Sequence, residues 1–211
     1  MTERIPTGGE EIANSVSHGL ALLVALVATP FLIGSVSPLK PWGLLGASVF
    51  AASLLLLYCT STLYHALPDG RGKRICLQLD YSAIYLFIAG SYTPFALVAP
   101  ESRWSWTVLT VVWLLAAVGI ALKALRPLSR PWVSALPYVA MGWLVLVAAI
   151  PLVQRLQGPG LPWLVAGGVA YTVGVVFFAL DNRLRYAHSV RHSFVAAGSG
   201  CHFVAVMVYV A

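Results

Sequence analysis

Charge is scarce in this chain. Asp, Glu, Lys and Arg make up 9% of its 211 residues, where soluble globular domains carry about 25%. With 59% of residues apolar, a water-soluble domain is excluded and an integral membrane protein is expected. Cysteine is scarce as well: Cys59, Cys76 and Cys201 are dispersed without a C-x-x-C pair, so neither a disulfide framework nor a cysteine zinc site is indicated. The short alternating runs of a membrane β-barrel are missing. So are a Ser/Gly-rich linker, a low-complexity tract and an internal repeat, which leaves one domain over residues 1–211 as the expectation. The start of the chain sets Arg4 against Glu3, Glu10 and Glu11 and lacks the basic leader of a secretory signal, so the first apolar run is expected to be retained.

What is present is a series of long apolar runs. A helix needs about 20 apolar residues to cross the hydrocarbon core of a bilayer. Seven stretches qualify, at roughly 15–36, 42–64, 78–99, 104–125, 132–153, 161–180 and 187–210, with Pro137 interrupting the fifth. Orientation follows from lysine and arginine, which gather in cytoplasmic loops. Ten fall on one side: Arg4, Arg71, Lys73, Arg74, Lys123, Arg126, Arg130, Arg183, Arg185 and Arg191. Three fall on the other: Lys40, Arg103 and Arg155. The expected fold is therefore an all-α integral membrane bundle of seven transmembrane helices, with a cytoplasmic N-terminus and an outside C-terminus. The net charge of +6 serves topology and does not point to nucleic acid.

That topology brings four ionisable residues to the cytoplasmic end of the bundle. His65 closes the second span, Asp80 opens the third, and His188 and His192 open the seventh. The last two are four residues apart and share one helix face, a two-point grip for a metal ion. Ionisable side chains at membrane depth are costly and face a bundle interior or a watery cavity. Three imidazoles with one open position make a catalytic zinc arrangement that activates water, and a nearby carboxylate can take a proton. On this reading His65, His188 and His192 bind Zn2+, Asp80 acts on the water, and Ser61, one turn before His65, donates to Asp80 or to a substrate oxygen. His202 lies ten residues beyond His192, about 15 Å deeper at 1.5 Å per residue, too far to share the ion, and is expected to line a cavity above it. The competing reading of a lone membrane histidine, which applies to His18 and His202, is an interhelical hydrogen bond. Asp80 could likewise pair with Arg74 or Arg191, and Asp181 with its neighbouring arginines reads as a solvated rim.

Several segments together resemble the hemolysin III group of bacterial membrane proteins, related to the progestin and adiponectin receptor family. They are E-E-I-A-N-S-V-S-H-G-L near the start, S-T-L-Y-H at 61–65, L-D-Y-S-A-I at 79–84, A-G-S-Y-T-P at 89–94, and H-S-V-R-H-S-F-V-A-A-G-S-G-C-H-F at 188–203. The resemblance implies a seven-helix bundle in the bacterial plasma membrane, with zinc held at His65, His188 and His192, Asp80 engaging its water and Ser61 beside the site. Because alkaline ceramidases are related, it also implies a lipid amide hydrolase, with membrane lipids as partners and a lipid substrate within the bundle. Arg191 stands where the family usually has an apolar or aromatic residue, which bears on headgroup contacts.

Two function classes thus follow. One is a zinc-dependent hydrolase of a lipid amide or ester that contributes to membrane homeostasis. The other is a non-enzymatic sensor or signalling module stapled by zinc. A cytolytic pore finds no amphipathic segment or ring of like charge in support. A haem protein has no specific signal, and retinal chemistry lacks a lysine in the seventh span.

Overall fold

The computed structural model describes residues 4, 6–125, 137–144 and 158–210. Among them every regular element is helical: α1 (Gly8–Ser35), α2 (Pro41–Ala66), α3 (Arg71–Leu97), α4 (Arg103–Leu125), α5 (137–144), α6 (Leu161–Leu180) and α7 (Ala187–Val210). Five of these, α1, α2, α4, α6 and α7, are long and apolar enough to cross a membrane. α3 has the length, at 27 residues, but its first half carries Arg71, Lys73, Arg74, Gln78 and Asp80. Of the span expected at 132–153, only 137–144 lies within the described residues. The composition, the five apolar helices and the absence of strands among the described residues make this a multi-pass membrane protein.

Sequence periodicity explains which faces turn inward. On α1, Asn14, His18, Ala25 and Leu32 are buried, while Leu20, Val24, Val27 and Phe31 form an exposed apolar stripe. The buried set repeats at four- and seven-residue intervals and the exposed set at three- and four-residue intervals, so one face meets protein and the other suits lipid. α4 repeats the pattern, burying Val112, Ala116, Gly119 and Lys123. Lys123 sets its ammonium 3.8 Å from the centre of the Tyr81 ring.

Two helices begin earlier than their apolar runs suggested: α1 at Gly8 rather than 15, and α3 at Arg71 rather than 78. Hydropathy registers only the lipid-compatible part of a helix. The additional turns are polar and face neighbouring helices at one end of the bundle. α1 starts there with a capping box, in which Thr7 Oγ1 accepts from Glu10 N and the Glu10 carboxylate accepts from Thr7 N at 2.9 Å. Glu10 also receives both Arg4 guanidinium nitrogens, at 2.8 and 2.6 Å, and the Tyr186 amide at 3.0 Å. The start of α1 is thereby clasped to the start of α7. Tyr186 adopts φ 60 immediately before α7, a left-handed conformation that a bulky residue holds only when its surroundings impose it.

Small residues let the helices approach. A Cβ on Gly46 would lie 2.7 Å from Pro94 Cα, and one on Gly90 would run into the Ser53 side chain, which brings α2 and α3 close together. The main core gathers Leu32 of α1, Phe50, Leu54 and Leu57 of α2, Ala83 and Phe87 of α3, and Val206 of α7. A second cluster joins α3 and α4 through Tyr85, Ala89, Val112 and Ala116, with Met141 of α5. α7 packs on α6 and α1 and also touches α2 and α3.

Candidate metal centre

Because neighbouring helices run in alternating directions, the first turns of α1, α3 and α7 and the last turn of α2 meet at one end of the bundle. There the ligand atoms of His65, His188 and His192 lie within 4.8 Å of one another. Ring centroids are 4.9 Å apart for His65 and His188, 5.2 Å for His65 and His192, and 4.6 Å for His188 and His192. His65 and His192 are buried and His188 is half-buried.

Each ring is held by one nitrogen. His65 Nδ1 lies 2.6 Å from Glu11 Oε2, and Lys73 Nζ donates to the other oxygen of that carboxylate at 2.9 Å. His188 Nδ1 lies 2.8 Å from Asp181 Oδ2. His192 Nδ1 lies 3.2 Å from the Asn14 carbonyl oxygen and 3.0 Å from Ser17 Oγ. Carboxylates and carbonyls only accept, so each Nδ1 carries the hydrogen and each Nε2 is left with its lone pair. His65 Nε2 is buried and has no hydrogen-bond partner. Metal-binding histidines are typically held in this way, one nitrogen on an acceptor and the other on the ion.

The donor set therefore fits a metal ion. Zinc–nitrogen bonds of about 2.1 Å in a tetrahedral site place ligand nitrogens roughly 3.4 Å apart, so loading would draw the rings inward. The charges suit a dication too, since Glu11 and Asp181 lie directly behind two of the three imidazoles. Burial alone would raise the Asp181 carboxyl, but the His188 hydrogen bond and the charges of Arg191 and Arg4 outweigh it and hold it below its ordinary value.

Arg191 Nη2 lies 3.2 Å from Nδ1 and 2.7 Å from Nε2 of His188. Of the two ring nitrogens Nε2 is the nearer to the guanidinium, so an ion held at this nitrogen would have Arg191 as its immediate neighbour. The same guanidinium lies 5.2 Å from the centre of the Phe178 ring and acts electrostatically on Asp80 and Asp181.

Asp80 is half-buried and stands outside the three-imidazole cluster. Ser61, fully buried, lies 2.7 Å from His18 Nδ1. His202 is placed elsewhere, edge-on to Tyr171 with centroids 5.2 Å apart and pressed against Gly167 between α6 and α7. The three cysteines are free.

Sequence reasoning missed the groups that hold the rings. Glu11, Asn14 and His18 follow one another at helical spacing on the α1 face turned toward the site, a legible signal. The Asn14 carbonyl gives no signal, because any residue has one. Asp181 read as solvated rim and is instead the His188 partner.

The profile of the family described as "Haemolysin-III related" matches residues 8–203. The chain is 40% identical over 216 residues to "Hemolysin-3" of Bacillus cereus, covering 100% of this chain and 96% of the relative. It is 38% identical over 201 residues to "Hemolysin-3 homolog" of Bacillus subtilis (strain 168), covering 95% and 94%. A human protein, "Monocyte to macrophage differentiation factor", is 29% identical over 215 residues, covering 97% of this chain and 86% of the relative. The matched region takes in all three clustered histidines, and the chain belongs to the haemolysin-III-related family of membrane proteins.

Proposed function

We propose that the protein is a zinc-dependent hydrolase of a lipid amide or ester, embedded as one seven-span domain over residues 1–211 in the plasma membrane with its N-terminus in the cytoplasm. One observation carries the reading. Three rings from two helices converge, each with its Nδ1 beside an acceptor, and His65 Nε2 is buried without a hydrogen-bond partner. His65, His188 and His192 would hold the ion. When bound, zinc supplies Lewis acidity toward a carbonyl and activates water. The remaining work falls to the chain. Asp80 is the base that takes a proton and returns it to the leaving group, and the Ser61 hydroxyl donates to Asp80 or to a substrate oxygen. Glu11 and Asp181 fix the ligand rings. Lys73 and Arg74, with Tyr64, Asp69, Gly70 and Leu77, line a pocket at the same end, where lipid headgroups lie.

The test is the metal content of purified wild type beside His65→Ala, with the same samples assayed on lipid amides. Wild type should carry one zinc per chain and His65→Ala almost none. Asp80→Asn should keep the zinc and lose turnover by at least about a hundredfold. Full hydrolysis by that variant would remove Asp80 from the mechanism.

A second reading keeps the metal without turnover. It is favoured by the way the cluster joins α2 to α7, so that zinc would act as a staple in a sensor or signalling module. Lipid profiles of cells carrying wild type or His188→Ala separate the two, an unchanged profile favouring the staple.

A further inference from the structure

Arg191 has no task in the mechanism above, yet its guanidinium lies against one of the three clustered rings. Nη2 is 3.2 Å from Nδ1 and 2.7 Å from Nε2 of His188, and among the described residues that ring is its hydrogen-bond partner. Asp181 and Asp80 attract the guanidinium without an ion pair, and the Asp181 carboxylate already holds His188 at 2.8 Å. The Phe178 ring, 5.2 Å from Cζ, offers a π face and no lone pair. Arg191 is half-buried, and a guanidinium carries five N–H donors. Most of them have no acceptor among the described residues.

A metal ion at the cluster would sharpen this. Whichever nitrogen of His188 ligates, Nη2 is its immediate neighbour, and the lone pair that faces the guanidinium would pass to the ion. Arg191 would then stand beside a dication with its acceptor lost. Two cations at such range repel, and an anion between them replaces the repulsion with two attractions. The cluster is open on this side. The His188 and Asp181 side chains are 25% and 28% exposed, against 3% for His65. A ligand that approaches past His188 therefore meets Arg191.

The planar fork of an arginine matches the two oxygens of a carboxylate. We propose that Arg191 is the carboxylate-binding residue of this centre, holding an acyl carboxylate beside the metal position and giving the site a preference for such anions over neutral ligands. This deepens the hydrolase reading and rests on it. Water cleaves a lipid amide or ester into a carboxylic acid, ionised at neutral pH, and a free amine or alcohol. Arg191 thus retains the acyl product, and the same charge favours the negative oxygen that develops as water adds to the carbonyl.

The experiment uses detergent-purified, Co2+-loaded protein and two small probes, butyrate and imidazole. The first is an anion, the second a neutral ligand that binds the metal without needing the arginine. Titrations followed by the Co2+ absorption band should show butyrate affinity falling about tenfold or more in Arg191→Leu, the worth of a charge-assisted contact. Imidazole affinity should stay within about twofold of wild type, because a neutral ligand gains little from the guanidinium. Arg191→Gln, uncharged and near arginine in length, decides the matter by the same measure if Arg191→Leu does not fold. Unchanged butyrate affinity in the variant overturns the inference, as does a loss of imidazole affinity in step with butyrate. Uptake of Co2+ by wild type with no response to butyrate overturns this inference alone. Failure of wild type to give any Co2+ band overturns the metal reading itself, and this inference with it.

Discussion

Glu11 serves two partners at once, taking the Lys73 ammonium on one oxygen and the His65 ring on the other. In the proposed metal site its charge would make His65 a stronger ligand, with Nδ1 on the carboxylate and Nε2 left without a hydrogen-bond partner. Glu11→Gln retains an acceptor but loses the charge. Metal affinity should fall about tenfold to a hundredfold, measured by competition with a chelator. Arg191 acts in the opposite sense. Its guanidinium lies beside a ligand ring and repels any dication bound there, so Arg191→Leu should raise metal affinity by about tenfold or more. At this scale the sequence was legible where chemistry and depth coincide. His65, His188 and His192 could be grouped because topology alone sets them at one level. Asn14 could not, because it holds His192 with a main-chain oxygen that leaves no trace in residue identity.

The helices carry a different lesson. Apolar runs located α2, α4, α6 and α7 to within a few residues, and they missed the polar first turns of α1 and α3. Those turns are stabilised by neighbouring helices and caps, which hydropathy does not weigh, and they contain Glu10, Glu11, Asn14 and Lys73. Helix contact is equally specific farther along the bundle. Gly90 leaves no room for a side chain beside Ser53. Gly90→Val should separate α2 from α3 and cost about 1–3 kcal/mol of stability, measured by unfolding in detergent. Gly168, which meets nothing within 4 Å, provides the control, and Gly168→Val should be near neutral.

For the whole molecule, a metal at His65, His188 and His192 joins helices that enter the chain far apart. Ligation across such a separation couples binding to the integrity of the bundle. Removing the metal with a chelator should lower the unfolding temperature of wild type and leave His65→Ala unchanged, a comparison made by thermal scans of both proteins with and without chelator.

The distance along the chain between those ligands also sets an order of events in the cell. His65 leaves the ribosome early, whereas His188 and His192 belong to α7, which Tyr186, whose amide donates to the Glu10 carboxylate, immediately precedes. A nascent chain still lacking its last segment has one imidazole at this level and no closed clasp. An ion at the proposed site would therefore be taken up only after α7 has been made, and chains stalled before that point would lack two of its three imidazoles.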